Sequence, residues 1–126
     1  MSIIDSILSL MREGAIVKKS LDFSVLIVNY CEILNGRSKL IISNQLLRSG
    51  TAIGANVFEA QLSESRLDII HKMKIALKEA SETFYWLSLC ERTGDLSNFE
   101  ESLKNINEII AILSKIVITS KKNLAK

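Results

Sequence analysis

His71 is the only histidine in the chain, and with Asp68 it forms one acid-x-x-His pair, which is not enough for a di-iron site in a helical bundle. Such a centre needs two of these pairs and further inward glutamates, so no metal is expected here. The same shortage argues against nucleophilic catalysis. Serine and cysteine need a base to activate them, and the chain has neither a second histidine nor a G-x-S-x-G turn. Cys31 and Cys90 lack CxxC spacing and a histidine cluster, so both are read as buried thiols. Gly50-x-x-x-Gly54 is not followed by the Lys-Ser/Thr of a phosphate loop. No catalytic residue, metal or cofactor is expected, and the chain is read as non-enzymatic.

The polar residues at or beside core-facing helical positions are more telling. Arg48, Asn56 and Glu59 lie in one segment, Lys78, Glu79 and Glu82 in another. Lys78 and Glu82 are four apart and can pair along one helix, while Arg48 can bridge to Glu79 or Glu82 from a neighbouring helix. Paired carboxylates can serve general acid/base work, but an arginine within reach holds both ionised and inert. A structural network is the preferred reading, with catalysis and ligand binding as the alternatives. Trp86 stands in the densest aromatic cluster, Phe84-Tyr85-Trp86, where packing is preferred over stacking on a nucleotide base because no basic stripe adjoins it in sequence. Lys18 and Lys19 near the start, with Lys115, Lys121, Lys122 and Lys126 near the end, are the candidate phosphate contacts. Their alternative role is a solvated surface whose C-terminal lysines complement a helix dipole.

These residues must be positioned by helices. The chain has 126 residues, 48% of them hydrophobic, 6% aromatic and none proline, which points to one all-α domain with long unbroken helices. A short amphipathic segment is expected over 2–11, carried by Ile3, Ile4, Ile7, Leu8 and Leu10, within an N-terminal extension over 1–14. Phe23, Ile27, Tyr30 and Leu34 then step by four, three and four to a C-cap at Asn35-Gly36. Ile42, Leu46, Ser49, Ile53, Asn56 and Ala60 mark a second long helix, and Ile70, Met73, Leu77, Ala80, Phe84 and Leu87 a third, ending at Thr93-Gly94-Asp95. Leu96, Phe99, Leu103, Ile106, Ile110, Leu113 and Val117 mark the last, capped by Ser97 and followed by a basic tail over 118–126. Short connections between such helices imply an antiparallel up-down-up-down four-helix bundle.

Two features go beyond a generic bundle. Gly50 and Gly54 share a helix face with Ser49, Thr51, Ala52 and Ala55 around them, so a neighbouring backbone can approach closely there; each glycine costs roughly 1 kcal/mol of helix stability, which a contact must offset. A second apolar stripe, Leu21, Val25 and Val28 on the first long helix and Ile109, Ile112 and Ile116 on the last, is wider than a bundle core requires and implies a homo-oligomer.

Net charge is +2 and the pI about 8.6, far from a dedicated nucleic-acid-binding module. Mean hydropathy is +0.23, yet Arg48, Glu59, Lys72, Lys74, Lys78, Glu79 and Glu108 interrupt every stretch that could span a membrane. No basic n-region opens the chain and no disulfide framework is present, so the expected compartment is the cytoplasm.

The run Gln45-Leu46-Leu47-Arg48-Ser49-Gly50-Thr51-Ala52-Ile53-Gly54-Ala55-Asn56-Val57-Phe58-Glu59-Ala60, followed by Lys78-Glu79-Ala80-Ser81-Glu82-Thr83-Phe84-Tyr85-Trp86-Leu87, resembles the bacterial four-helix-bundle protein family. Its members are also called 23S rRNA intervening-sequence proteins, because some are encoded within insertions in the large ribosomal RNA gene. The resemblance covers about Met11 to Leu113 and implies a homopentameric antiparallel bundle without catalytic activity. It further implies a fold similar to the accessory variability proteins of diversity-generating retroelements, basic pentameric barrels that bind nucleic acid and a reverse transcriptase. Carried over by the resemblance, the signature positions are Arg48, Ser49, Asn56, Glu59, Lys78, Glu79, Glu82 and Trp86. The chain departs at Ser81, where arginine is frequent, and at Ile69, where an aromatic is frequent; both losses weaken a basic ring. Two functions are therefore expected: an oligomer that presents lysine and arginine to RNA, DNA or a protein partner such as a reverse transcriptase, or a purely structural assembly module that binds protein through its apolar stripes.

Overall fold

The computed structural model describes residues 15–94 and 99–125, and all of its regular structure is helical: α1 Ile16–Gly36, α2 Leu40–Gln61, α3 Arg66–Arg92 and α4 Phe99–Ala125. The segment expected over 2–11, the Ser97 cap and Lys126 lie outside the described residues. Each helix packs on the next in the chain, and α1 also touches α4, which closes a bundle. No described helix is long and apolar enough to cross a membrane.

Local signals account for most boundaries. Ser65 caps α3, its hydroxyl accepting from the Asp68 amide at 3.1 Å, and Asp68 in the first turn suits the positive end of the helix dipole. Gly94, after α3, takes φ +88°, a left-handed conformation that favours glycine. The α1–α2 connection differs from expectation: α1 runs through Gly36, and Ser38, not the glycine, adopts the left-handed conformation at φ 62°. α4 continues without a break to Ala125, so Lys121 and Lys122 sit on its last turns and not on a separate tail.

The core draws on all four helices, with Ile27, Leu46, Ile53, Ile69, Met73, Leu87, Ile109 and Leu113 fully buried. Two expected stripes shift. Phe84 is 38% exposed and Thr83 takes the inward place beside it, because a straight helix of 3.6 residues per turn drifts from a strict four-three step. Ile109 and Ile116 belong to the core, so they are not evidence for a partner, whereas Leu21, Val25 and Val28 on α1 stay 40–55% exposed.

The α1–α2 contact is built from small residues. A methyl group placed on Gly50 would stand 2.9 Å from Cγ2 of Ile27, and one on Gly54 would meet the Ser20 carbonyl and the Ser24 hydroxyl at 3.3 Å. Higher on the same seam Cys31 and Ser43 bind reciprocally: the thiol reaches the Ser43 carbonyl at 3.4 Å, and the serine hydroxyl donates to the Cys31 carbonyl at 3.2 Å. Burial pushes the Cys31 thiol up, partly opposed by its bond with Ser43, as befits a structural thiol.

Candidate functional site

The seam that brings α2 against α3 holds the polar cluster. Arg48 projects from α2 with its guanidinium forked over two carboxylates of α3, one nitrogen 3.2 Å from Glu79 Oε2 and the other on Glu82 Oε2. Glu79 and Glu82 are three apart on α3, so they present their carboxyls side by side to one planar donor. Gln45, one turn before Arg48, accepts from it at 3.4 Å, and the Trp86 indole N–H donates to Glu82 Oε2 at 3.1 Å. Tyr85 braces the indole edge-on, with ring centroids 5.1 Å apart.

Beneath this cluster a hydroxyl pair crosses the same seam. Thr83 Oγ1 lies 2.9 Å from Ser49 Oγ and 2.8 Å from the Glu79 carbonyl, and both hydroxyls are buried. One hydroxyl donates one proton, so two arrangements satisfy the pair: Thr83 donates to Ser49, which donates on to the Leu46 carbonyl at 3.5 Å, or Thr83 donates to the Glu79 carbonyl and accepts from Ser49. At the other end of the seam Lys72 reaches Glu59 at 2.9 Å, and the bond and charge of that carboxylate push the lysine up.

The structure thus brings Arg48, Ser49, Glu79, Glu82 and Trp86 together, with Glu59 further along. Asn56 donates to the Ala52 carbonyl of its own helix at 2.8 Å and makes no tie to α3. Lys78 is exposed and has no ion pair among the described residues, since Glu82 is taken by Arg48. His71 is exposed, and among the described residues no three His, Cys, Asp or Glu side chains converge as metal ligands. The Arg48 cluster can orient helices and anchor the Trp86 ring, and its carboxylates bind the Arg48 guanidinium and the Trp86 indole N–H, neither of them a nucleophile. The Ser49–Thr83 pair was not anticipated; a serine and a threonine in the small-residue run and the aromatic cluster are its only sequence trace.

The six lysines singled out as phosphate contacts divide. Lys18 pairs with Asp22 at 2.6 Å and Lys19 with Glu108 at 2.5 Å, and the Lys19 ammonium holds the Glu108 carboxyl below its ordinary value. Lys115, Lys121 and Lys122 are exposed on α4 without an ion pair among the described residues. A helical repeat that places an acid four residues after Lys18 foretells the first pairing; the second joins α1 to α4 and is invisible in the sequence.

Residues 12–115 match the family model described as 23S rRNA-intervening sequence protein. Among solved structures, a protein of unknown function from the S23 ribosomal protein family of Bacteroides thetaiotaomicron is 44% identical. It superposes with a TM-score of 0.77, over 82% of this chain and 96% of that one. A search of curated proteins finds no match. The glycine seam and the Arg48 cluster both lie inside the matched residues, and the chain belongs to the 23S rRNA-intervening sequence protein family.

Proposed function

We propose that the chain is a non-enzymatic homo-oligomer, an antiparallel up-down-up-down bundle assembled as a pentamer, that holds RNA or a partner travelling with nucleic acid, such as a reverse transcriptase. The antiparallel order is supported by the α1–α2 neighbours, where Ser20, Ile27 and Cys31 meet Gly54, Gly50 and Ser43 in turn. Partner numbers fall as those on α1 rise.

The observation that carries the assembly is the exposure of Leu21, Val25 and Val28 on a helix whose other face is in the core, with Leu47 and Phe58 also exposed on α2. A bundle that stayed single would leave these apolar side chains in water. Uncompensated lysines on α4 supply charge for a polyanion. Light scattering should give about five times the protomer mass of 14.1 kDa, and Val25→Lys should return it to that of a single chain. Retention on RNA should fall steeply with added salt. A wild-type protein of single-chain mass refutes the assembly. An oligomer that ignores RNA at low salt leaves the second reading, an assembly module for protein alone, which the modest net charge of +2 favours.

A further inference from the structure

On the outward side of α3 the residues Lys74, Lys78, Ser81, Tyr85, Ser88 and Arg92 step by four, three, four, three and four, which places them on one face of the helix. All are exposed except the half-buried Ser88. Neither lysine nor Arg92 has an ion-pair partner among the described residues, in contrast to Lys18, Lys19, Arg48 and Lys72. The acids of α3 are mostly engaged elsewhere: Glu79 and Glu82 hold Arg48, and Asp68 sits at the Ser65 cap, leaving Glu91 next to Arg92 as the one acid near the row's end.

An aromatic ring interrupts this row of free cations, so the Phe84-Tyr85-Trp86 cluster does have a basic stripe on its own helix, contrary to the sequence expectation. Tyr85 is 59% exposed, yet its ring is braced by Trp86, whose indole is tied through Glu82 to Arg48. Beside it lies an open depression lined by Tyr85, Ser88, Leu89 and Arg92. A flat ring held in place, an apolar floor and a guanidinium at the rim match a base and the phosphate attached to it.

We propose that this face of α3 is a track for single-stranded nucleic acid, with a base stacked on Tyr85 and backbone phosphates passing Arg92, Lys78 and Lys74. The inference rests on the reading that the protein binds nucleic acid, and it moves the contact from the lysines of α4 to α3. Lys74 and Arg92 are roughly 27 Å apart along the helix at 1.5 Å per residue, a length suited to a short single strand. A paired base offers no free face to Tyr85, so a duplex uses only the cations.

The test is fluorescence anisotropy of the whole protein with a labelled oligouridylate of about 12 nucleotides and a duplex of equal length, between about 50 and 200 mM KCl. Lys74→Gln/Lys78→Gln should lower the slope of log affinity against log salt by about 1.4, two contacts at about 0.7 each. Tyr85→Ala should weaken the single strand about tenfold or more with little change in slope, and leave the duplex alone. Lys121→Gln/Lys122→Gln should alter neither quantity as much. All these residues are exposed, so oligomer size should match the wild type throughout and the melting temperature should match it in the lysine variants, with a small drop for Tyr85→Ala, which loses the edge-on contact with Trp86. Wild-type binding that both α3 variants retain in full overturns the track but not RNA binding; a Tyr85→Ala variant as tight as wild type overturns the single-strand assignment. Absence of wild-type binding at the lowest salt refutes the nucleic-acid reading itself and the track with it.

Discussion

Alanine at each of three glycines offers a sharp test of the packing, because one chemical change meets three surroundings. At Gly36 nothing lies within 4 Å of the added methyl and φ is ordinary, so only helix propensity acts and Gly36→Ala should stabilise by about 0.5 kcal/mol. At Gly50 the propensity gain of about 1 kcal/mol is opposed by Ile27, whose Cγ2, Cγ1 and Cβ would lie 2.9, 3.2 and 3.4 Å away. Ile27 is fully buried and β-branched, with one preferred χ1 in a helix, so it cannot swing aside. Overpacking then costs about 2–3 kcal/mol, for a net loss of about 1–2 kcal/mol and a melting temperature lower by about 5–10 °C. Gly54→Ala, with a backbone carbonyl at 3.3 Å, should fall between the two. Thermal and urea melts at fixed protein concentration read all three. In an Ile27→Ala background Gly50→Ala should become stabilising, since the clash is gone. If Gly50→Ala alone raises the melting temperature as Gly36→Ala does, close approach to Ile27 is not what the glycine serves.

Two further outcomes follow from the polar contacts. Thr83→Val removes the hydroxyl paired with Ser49 and should cost about 1–2 kcal/mol in a urea melt; an unchanged midpoint would mean the pair adds nothing to the α2–α3 seam. The Glu108 carboxyl is lowered in the folded protein by Lys19, so its contribution is present at neutral pH and is lost as pH falls through its folded value. The melting-temperature gap between wild type and Glu108→Gln should therefore be open near pH 7, narrow with salt, and close on acidification once the carboxyl is protonated in the folded protein; a gap that widens on acidification contradicts the assignment.

Much of the fold was written in local pattern. The apolar steps through Phe23–Leu34 and Leu46–Ala60, the absence of proline and the turn at Gly94 determine four helices by themselves, because helix periodicity and left-handed glycine are properties of neighbouring residues. The pairing of Arg48 with Glu79 and Glu82 was also legible, since an arginine and two carboxylates near apolar stripes have few other ways to be satisfied. Lys19, offered as a candidate phosphate contact, is paired from α4, and Ile109 and Ile116, read as part of a partner-facing stripe, lie in the core. Both outcomes share a cause: exposure and cross-helix pairing depend on the rotation of each helix against its neighbours, which sequence spacing leaves open by the width of a residue.

The sequence by itself determined helices, their order, and a small-residue run that had to meet something at close range. Only the tertiary structure decided that Gly50 meets Ile27, that Thr83 and not Phe84 turns inward, and that Lys19 is paired from α4 while, among the described residues, cations on α3 and α4 are left unpaired. Periodicity is a one-dimensional property that each helix carries alone. Which charges are cancelled, and which remain for a partner, is settled only when two helices choose their faces.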